Sequence, residues 1–111
     1  MQIEKYSFGN IVIDGSEYTS DVLIIEDKII NWWRREGHLL QVVDLEEVFK
    51  YVPDILFFGC GASGLMKVDK DVERRCAELG IELKVGETST IVEEFNSTKG
   101  RKVACGLHLT C

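Results

Sequence analysis

Between Pro53 and Gly61 the chain carries Asp54-Ile-Leu-Phe-Phe-Gly59, an unbroken apolar run with polar or turn-forming residues at its ends. A strand that alternates apolar and polar residues covers one face of a sheet; a run apolar on both parities needs a cover on both faces. This run therefore predicts a central strand inside a layered α/β fold. The last segment, Lys102-Val-Ala-Cys-Gly-Leu-His-Leu109, is also apolar on both parities and predicts a second central strand. Ile81-Glu-Leu-Lys-Val85 alternates and predicts a half-exposed strand.

The segments between these strands read as helices. Asp44 and Glu47 resemble a capping box ahead of Leu45, Val48, Phe49 and Val52, which fall at helical spacing before Pro53. Asp69 is placed to cap a helix with Val72, Cys76 and Leu79 on its apolar face, an Asp71–Arg75 pair at i, i+4, and Gly80 at its close. Thr88, Ser89 or Thr90 can cap a third helix that carries Ile91, Val92 and Phe95 and ends by Gly100. Up to about residue 33 the pattern is strand-like, with a turn at Asp14-Gly15 and a pair of strands over 21–26 and 29–33. The polar stretch Arg34-Arg35-Glu36-Gly37-His38 reads as a surface loop.

The expected architecture is a single domain over residues 1–111. It is a three-layer α/β/α fold with a mixed, mostly parallel sheet of about five strands, preceded by an N-terminal β-hairpin or meander. Residues 55–59 belong in the middle of the parallel part, between 81–85 and 103–109. The chain then reverses its winding between two neighbouring strands. Such a switch point opens a crevice at the carboxyl ends of the strands, here Gly59–Gly64 and His108–Cys111.

A net charge of −6, from 13 Lys+Arg against 19 Asp+Glu, argues against a nucleic-acid backbone as partner. No apolar stretch approaches the roughly 18 residues of a membrane span, and the first residues do not resemble a secretory leader, so a cytoplasmic protein without membrane attachment is expected. Cys60, Cys76, Cys105 and Cys111 form no CxxC pair and read as free thiols, and no ligand set at metal spacing stands out. No metal and no cofactor are expected.

Three features carry candidate chemistry. Gly59-Cys60-Gly61-Ala62-Ser63-Gly64 matches the dinucleotide pattern G-x-G-x-x-G after a buried strand, but the next helix begins only near Asp69, too late to aim its N–H groups at a pyrophosphate. The loop then reads either as a tight turn or as a nest of N–H groups for an anion. Histidine is the residue type whose unperturbed proton affinity suits general acid–base chemistry, which singles out His38 and His108; His108 is the candidate general base, and its alternative is a histidine at a strand end bonded to a neighbouring loop. Trp32-Trp33-Arg34-Arg35 joins aromatic surface to guanidinium groups, a combination found at protein interfaces and anion pockets, or else one tryptophan is core and the other covers a sheet face.

The loop 59–68, Gly80-Ile-Glu-Leu, Phe95-Asn96, the ending Gly106-Leu-His-Leu-Thr-Cys111, Phe8-Gly9, and Trp33-Arg34 with His38 together resemble the domain-of-unknown-function 498 family, over nearly the whole chain. The resemblance implies a three-layer α/β domain with a mixed five-stranded sheet. It also implies an assembly or regulatory factor rather than an enzyme with a secure reaction. The resulting expectation is a binding domain whose crevice, lined by Trp33, Arg34, His38, Gly59, Gly61, Ser63 and His108, holds an anionic group of a protein partner or small ligand. The chain is expected to be a monomer or weak homodimer. The alternative is a small-molecule enzyme with His108 as general base and the Gly59–Ser63 amides as an oxyanion site.

Overall fold

A computed structural model describes all residues from Met1 to Cys111. In chain order the strands are β1 (Ile3–Ser7), β2 (Asn10–Ile13), β3 (Ser16–Tyr18), β4 (Val22–Ile25), β5 (Lys28–Asn31) and β6 (Leu39–Leu40). A 3₁₀ turn at Val42–Leu45 leads into α1 (Glu46–Tyr51). There follow β7 (Ile55–Gly59), β8 (Lys67–Val68), α2 (Lys70–Leu79), β9 (Glu82–Gly86), α3 (Thr88–Ser97) and β10 (Val103–Leu107).

The main sheet has the order β5-β4-β10-β7-β9, with β10, β7 and β9 parallel and β4 and β5 antiparallel. β7 lies between β9 and β10 as its apolar run requires, and every one of its residues is buried. Its even residues, Leu56 and Phe58, face α1 and α2. Its odd residues, Ile55 and Phe57, face α3 and the β1–β2–β3 meander, a separate antiparallel sheet. The outer layer beside α3 is therefore shared between a helix and a small sheet. Asn96 ties the two together, accepting from Ile3 N–H at 3.0 Å and donating to Ile3 O at 2.8 Å.

β10 carries Gly106 where a side chain would meet the Trp32 ring at 2.6 Å. The missing side chain lets the Trp32 ring approach the sheet, at right angles to Phe58 with ring centroids 5.8 Å apart. Trp32 is core, held by its Nε1–H donating to Asp44 O at 3.0 Å, whereas Trp33 is 86% exposed.

Several local expectations need correction. Asp44 does not cap α1: its carboxylate accepts from Gln41 N–H and Arg35 N–H and closes the 3₁₀ turn, because the chain tightens before the helix begins. Val52 does not pack on the helix face but takes φ 51° as the helix stops before Pro53. α2 begins at Asp69 and ends at Gly80 as expected, but Asp71 pairs with Arg74 at 2.7 Å rather than with Arg75, and Leu79 is exposed. α3 has no side-chain cap; Thr88 is its first residue, buried, with its hydroxyl bonded elsewhere, and the helix ends at Ser97.

Candidate functional site

The antiparallel register of β4 on β10 sets Val22 opposite Leu107, so the residue before β4 meets the residue after β10. These are Asp21 and His108. β5 pairs Asn31 with Val22, and Trp32 N–H donates to Asp21 O at 2.9 Å, so the chain leaving β5 crosses the same corner with Arg34 two residues on.

The three side chains close on one another. Asp21 Oδ2 lies 2.7 Å from Arg34 Nη2 and 2.7 Å from His108 Nδ1, and Asp21 Oδ1 accepts from Leu109 N–H at 2.8 Å. The short Nδ1 distance to a carboxylate places a proton on Nδ1, so Nδ1–H and Nη2–H both donate to the same oxygen. Burial alone would raise the Asp21 carboxyl, but hydrogen bonds from His108, Leu109 N–H and Arg34, with the Arg34 charge, outweigh it and hold Asp21 below the usual carboxylate range. The Arg34 guanidinium also stacks over Trp32, 4.9 Å from the ring centroid.

Two of the three groups keep unused hydrogen-bonding capacity. Arg34 Nε and Nη1 and His108 Nε2 are buried with no protein partner, on side chains only 6% and 8% exposed. Arg34 lines a cavity of about 220 Å³ with Ser20, Asp21, Trp32, Trp33 and Gly37.

Arg34 and His108 thus meet through Asp21, the member sequence reasoning missed, while Trp33 lines the Arg34 cavity, whose lining does not include His108. Arg34 lies in a surface loop as expected, yet its side chain turns inward. His38 does not join them: it is exposed, and its carbonyl accepts from Lys67 N–H at 2.9 Å beside the short β6–β8 ladder.

The glycine loop after β7 is a packed turn. Gly59 O accepts from His108 N–H at 3.0 Å, and a Cβ at Gly59 would come within 2.8 Å of Thr88 Oγ1. Gly61 takes φ +109°, and its missing side chain leaves room for Thr110 O and Cys111, which pass within 2.8 Å of where a Cβ would stand. The loop amides are already bonded: Cys60 N–H donates to Gly86 O at 2.8 Å, Gly61 N–H to Thr88 Oγ1 at 2.9 Å and Ala62 N–H to Thr110 O at 2.6 Å. Thr88 Oγ1–H donates on to His108 O at 2.7 Å. The expected nest therefore binds the protein's own residues, and the crevice between β7 and β10 is filled by Thr110 and Cys111. The same bonds occupy the Cys60, Gly61 and Ala62 amides, three of the oxyanion donors expected of Gly59–Ser63. Ser63 is exposed and opens instead on a separate hollow of about 420 Å³ with Cys60, Met66, Lys67 and Glu87. α2 starts only after Asp69, so no helix N-terminus faces the loop and the dinucleotide pattern lacks its context.

The chain shares its fold with several solved structures. The conserved hypothetical protein PH1505 from Pyrococcus horikoshii superposes with a TM-score of 0.87 at 24% identity, over 100% of both chains. An outer membrane protein from Bartonella henselae gives 0.85 at 18% identity, covering 98% of this chain and 94% of that one. A Mth938-like domain from Bordetella pertussis gives 0.67 at 12% identity, covering 97% and 85%. At these identities the likeness speaks for the fold. The sequence pattern described as protein of unknown function (DUF498/DUF598) matches residues 3–108, and the chain belongs to that family.

Proposed function

We propose that this protein is a small binding module that holds an anionic group, a carboxylate or phosphate of a protein partner or metabolite, through Arg34, with Trp33 supplying apolar contact. The observation that carries the reading is the pair of unpartnered buried donors, Arg34 Nε and Nη1, on a residue that lines the cavity beside a tryptophan 86% exposed. A buried guanidinium with free N–H groups gains most from an acceptor oxygen, and the planar fork suits carboxylate and phosphate. Asp21 fixes the fork by engaging Nη2, and Trp32 supports it from beneath. An exposed aromatic next to an anchoring arginine is the composition of an interface centre. The reading fits an assembly-factor-like role in the cytoplasm. The alternative of His108 as general base keeps a free Nε2, with the Cys60, Gly61 and Ala62 amides turned to the protein's own oxygens.

The test is a titration of ¹⁵N-labelled protein with sodium acetate and with inorganic phosphate, followed by NMR at the Arg34 Nε–H and Trp33 Nε1–H signals. Saturable shifts confined to these signals and their neighbours are expected, weakened in Trp33→Ala and lost in Arg34→Lys. Trp33→Ala changes an exposed side chain and keeps the fold, so a flat titration of the wild type, or one unchanged in both variants, overturns the proposal.

A further inference from the structure

β9 is an edge strand of the main sheet. Glu82 N–H donates to Asp54 O and Cys60 N–H to Gly86 O, so the even residues of β9 turn their backbone groups toward β7. In a regular parallel ladder the N–H and C=O of Leu83 and Val85 then point outward, unpaired. Beside this edge runs an apolar trough of about 420 Å³ between β9 and α2, lined by Cys76, Ala77, Ile81, Leu83 and Val85 with Glu73. Val85 is 46% exposed. On the opposite face Glu82 and Lys84 project together, with Lys84 Nζ 3.8 Å from Glu82 Oε2.

We infer that this edge pairs with the β9 edge of a second copy of the chain, antiparallel about a two-fold axis through Leu83, extending the five-stranded sheet across the dimer. Three independent features select this occupant and register. Parity is satisfied: with Leu83 on the axis, Leu83 exchanges both backbone bonds with its counterpart and Val85 N–H reaches the outward Ile81 carbonyl of the other copy, four bonds in all, while Ile81 N–H stays with Cys76 O at 2.8 Å. Charge is complementary: Glu82 of each copy stands opposite Lys84 of the other, in the narrow non-hydrogen-bonded pair where cross-strand side chains come closest. The neighbouring register, with the axis through Lys84, has the same parity but sets Lys84 against Lys84 and is disfavoured. The apolar side is complementary as well, since the exposed Val85 of one copy extends the trough of the other over its buried Ile81. A strand of five residues makes a short contact, so the dimer belongs to the weak, reversible class.

Sedimentation equilibrium from micromolar to millimolar protein tests the pairing. The wild type is expected to show a reversible monomer–dimer equilibrium. Glu82→Lys and Lys84→Glu each place like charges opposite one another twice and should weaken the dimer by about tenfold or more. The exchanged variant Glu82→Lys/Lys84→Glu restores both cross-strand pairs and should return to within about threefold of wild type. All four proteins keep their cores, and circular dichroism verifies the fold. A wild type that stays monomeric throughout overturns the inference. So does a dimer indifferent to the single reversals, or an exchanged variant that fails to recover, either of which would place the contact elsewhere or with an unrelated strand.

Discussion

Replacing Asp21 by Asn removes one charge and little volume, and the cost is set by the geometry of the corner. Oδ1 can keep its bond from Leu109 N–H, but the new Nδ2 stands where Oδ2 accepted from Arg34 Nη2 and His108 Nδ1, each at 2.7 Å. Donors then face donors, and the Arg34 side chain, 6% exposed, is left with an uncompensated charge. Breaking a buried pair in this way typically costs about 3–5 kcal/mol, a large share of the roughly 5–15 kcal/mol that holds a domain folded. With a urea slope of about 1.5 kcal/mol/M, the unfolding midpoint should fall by about 2–3 M. Asp21→Asn/Arg34→Met removes the orphaned charge and should be clearly more stable than the sum of its single changes.

The carboxyl of Asp21 is held below its ordinary value in the folded protein. The stability it contributes is therefore complete above the unfolded-state pKa of about 3.9 and is lost as pH falls from there through the lower folded-state pKa. Urea midpoints followed from neutral pH into acid should show this limb in the wild type and a flatter one in Asp21→Asn. A loss under about 1 kcal/mol at neutral pH, or strict additivity in the double variant, would refute the buried ion pair as described.

Thr88→Val keeps the shape of a fully buried side chain but deletes the hydroxyl linking Gly61 N–H to His108 O, and should cost about 2–4 kcal/mol by chemical denaturation, since two buried groups lose their partner. Gly106→Ala forces a methyl to within 2.6 Å of a Trp32 ring already held by Asp44, Arg34 and Phe58, and should cost about 1–3 kcal/mol with a changed near-ultraviolet tryptophan signal. Cys111 is exposed while Cys60, Cys76 and Cys105 are buried with thiols pushed upward by burial, so a thiol reagent should modify one cysteine in the native protein and four only after unfolding. Native reaction of Cys105, at the centre of the sheet, would contradict the order of the strands.

The elements whose causes are local were legible in the residues alone. The apolar run at 55–59 needs cover on both faces wherever it sits. Asp69 and Gly80 satisfy the free ends of α2 with their own side chain and backbone freedom, accepting from Asp71 N–H at 3.2 Å and turning at φ +71°. Gly15 in the β2–β3 turn and the inward face of Ile91, Val92 and Phe95 obey the same short-range rules.

Other residues were misread because their partners are distant in sequence. Thr88 and Asp44 have the chemistry of helix caps, but tertiary bonds, from Gly61 N–H to Thr88 and from Arg35 N–H to Asp44, compete for the same oxygens. The glycine loop offers N–H groups that any anion could use, and only the passage of Thr110 and Cys111 over Gly61 decides that the protein's own oxygens take them. What the sequence by itself determined is therefore the inventory of the main sheet and its helices, though not the short β6–β8 ladder, together with which faces are apolar and that Trp33, Arg34 and His108 were worth placing. The tertiary structure alone decided their association, because the β4–β10 register brings Asp21 to His108 across 87 residues of chain. A largely buried carboxylate such as Asp21, with 16% of its side chain exposed, is tolerated only where a cation and N–H groups converge on it, and that convergence belongs to the packed sheet corner rather than to any one segment.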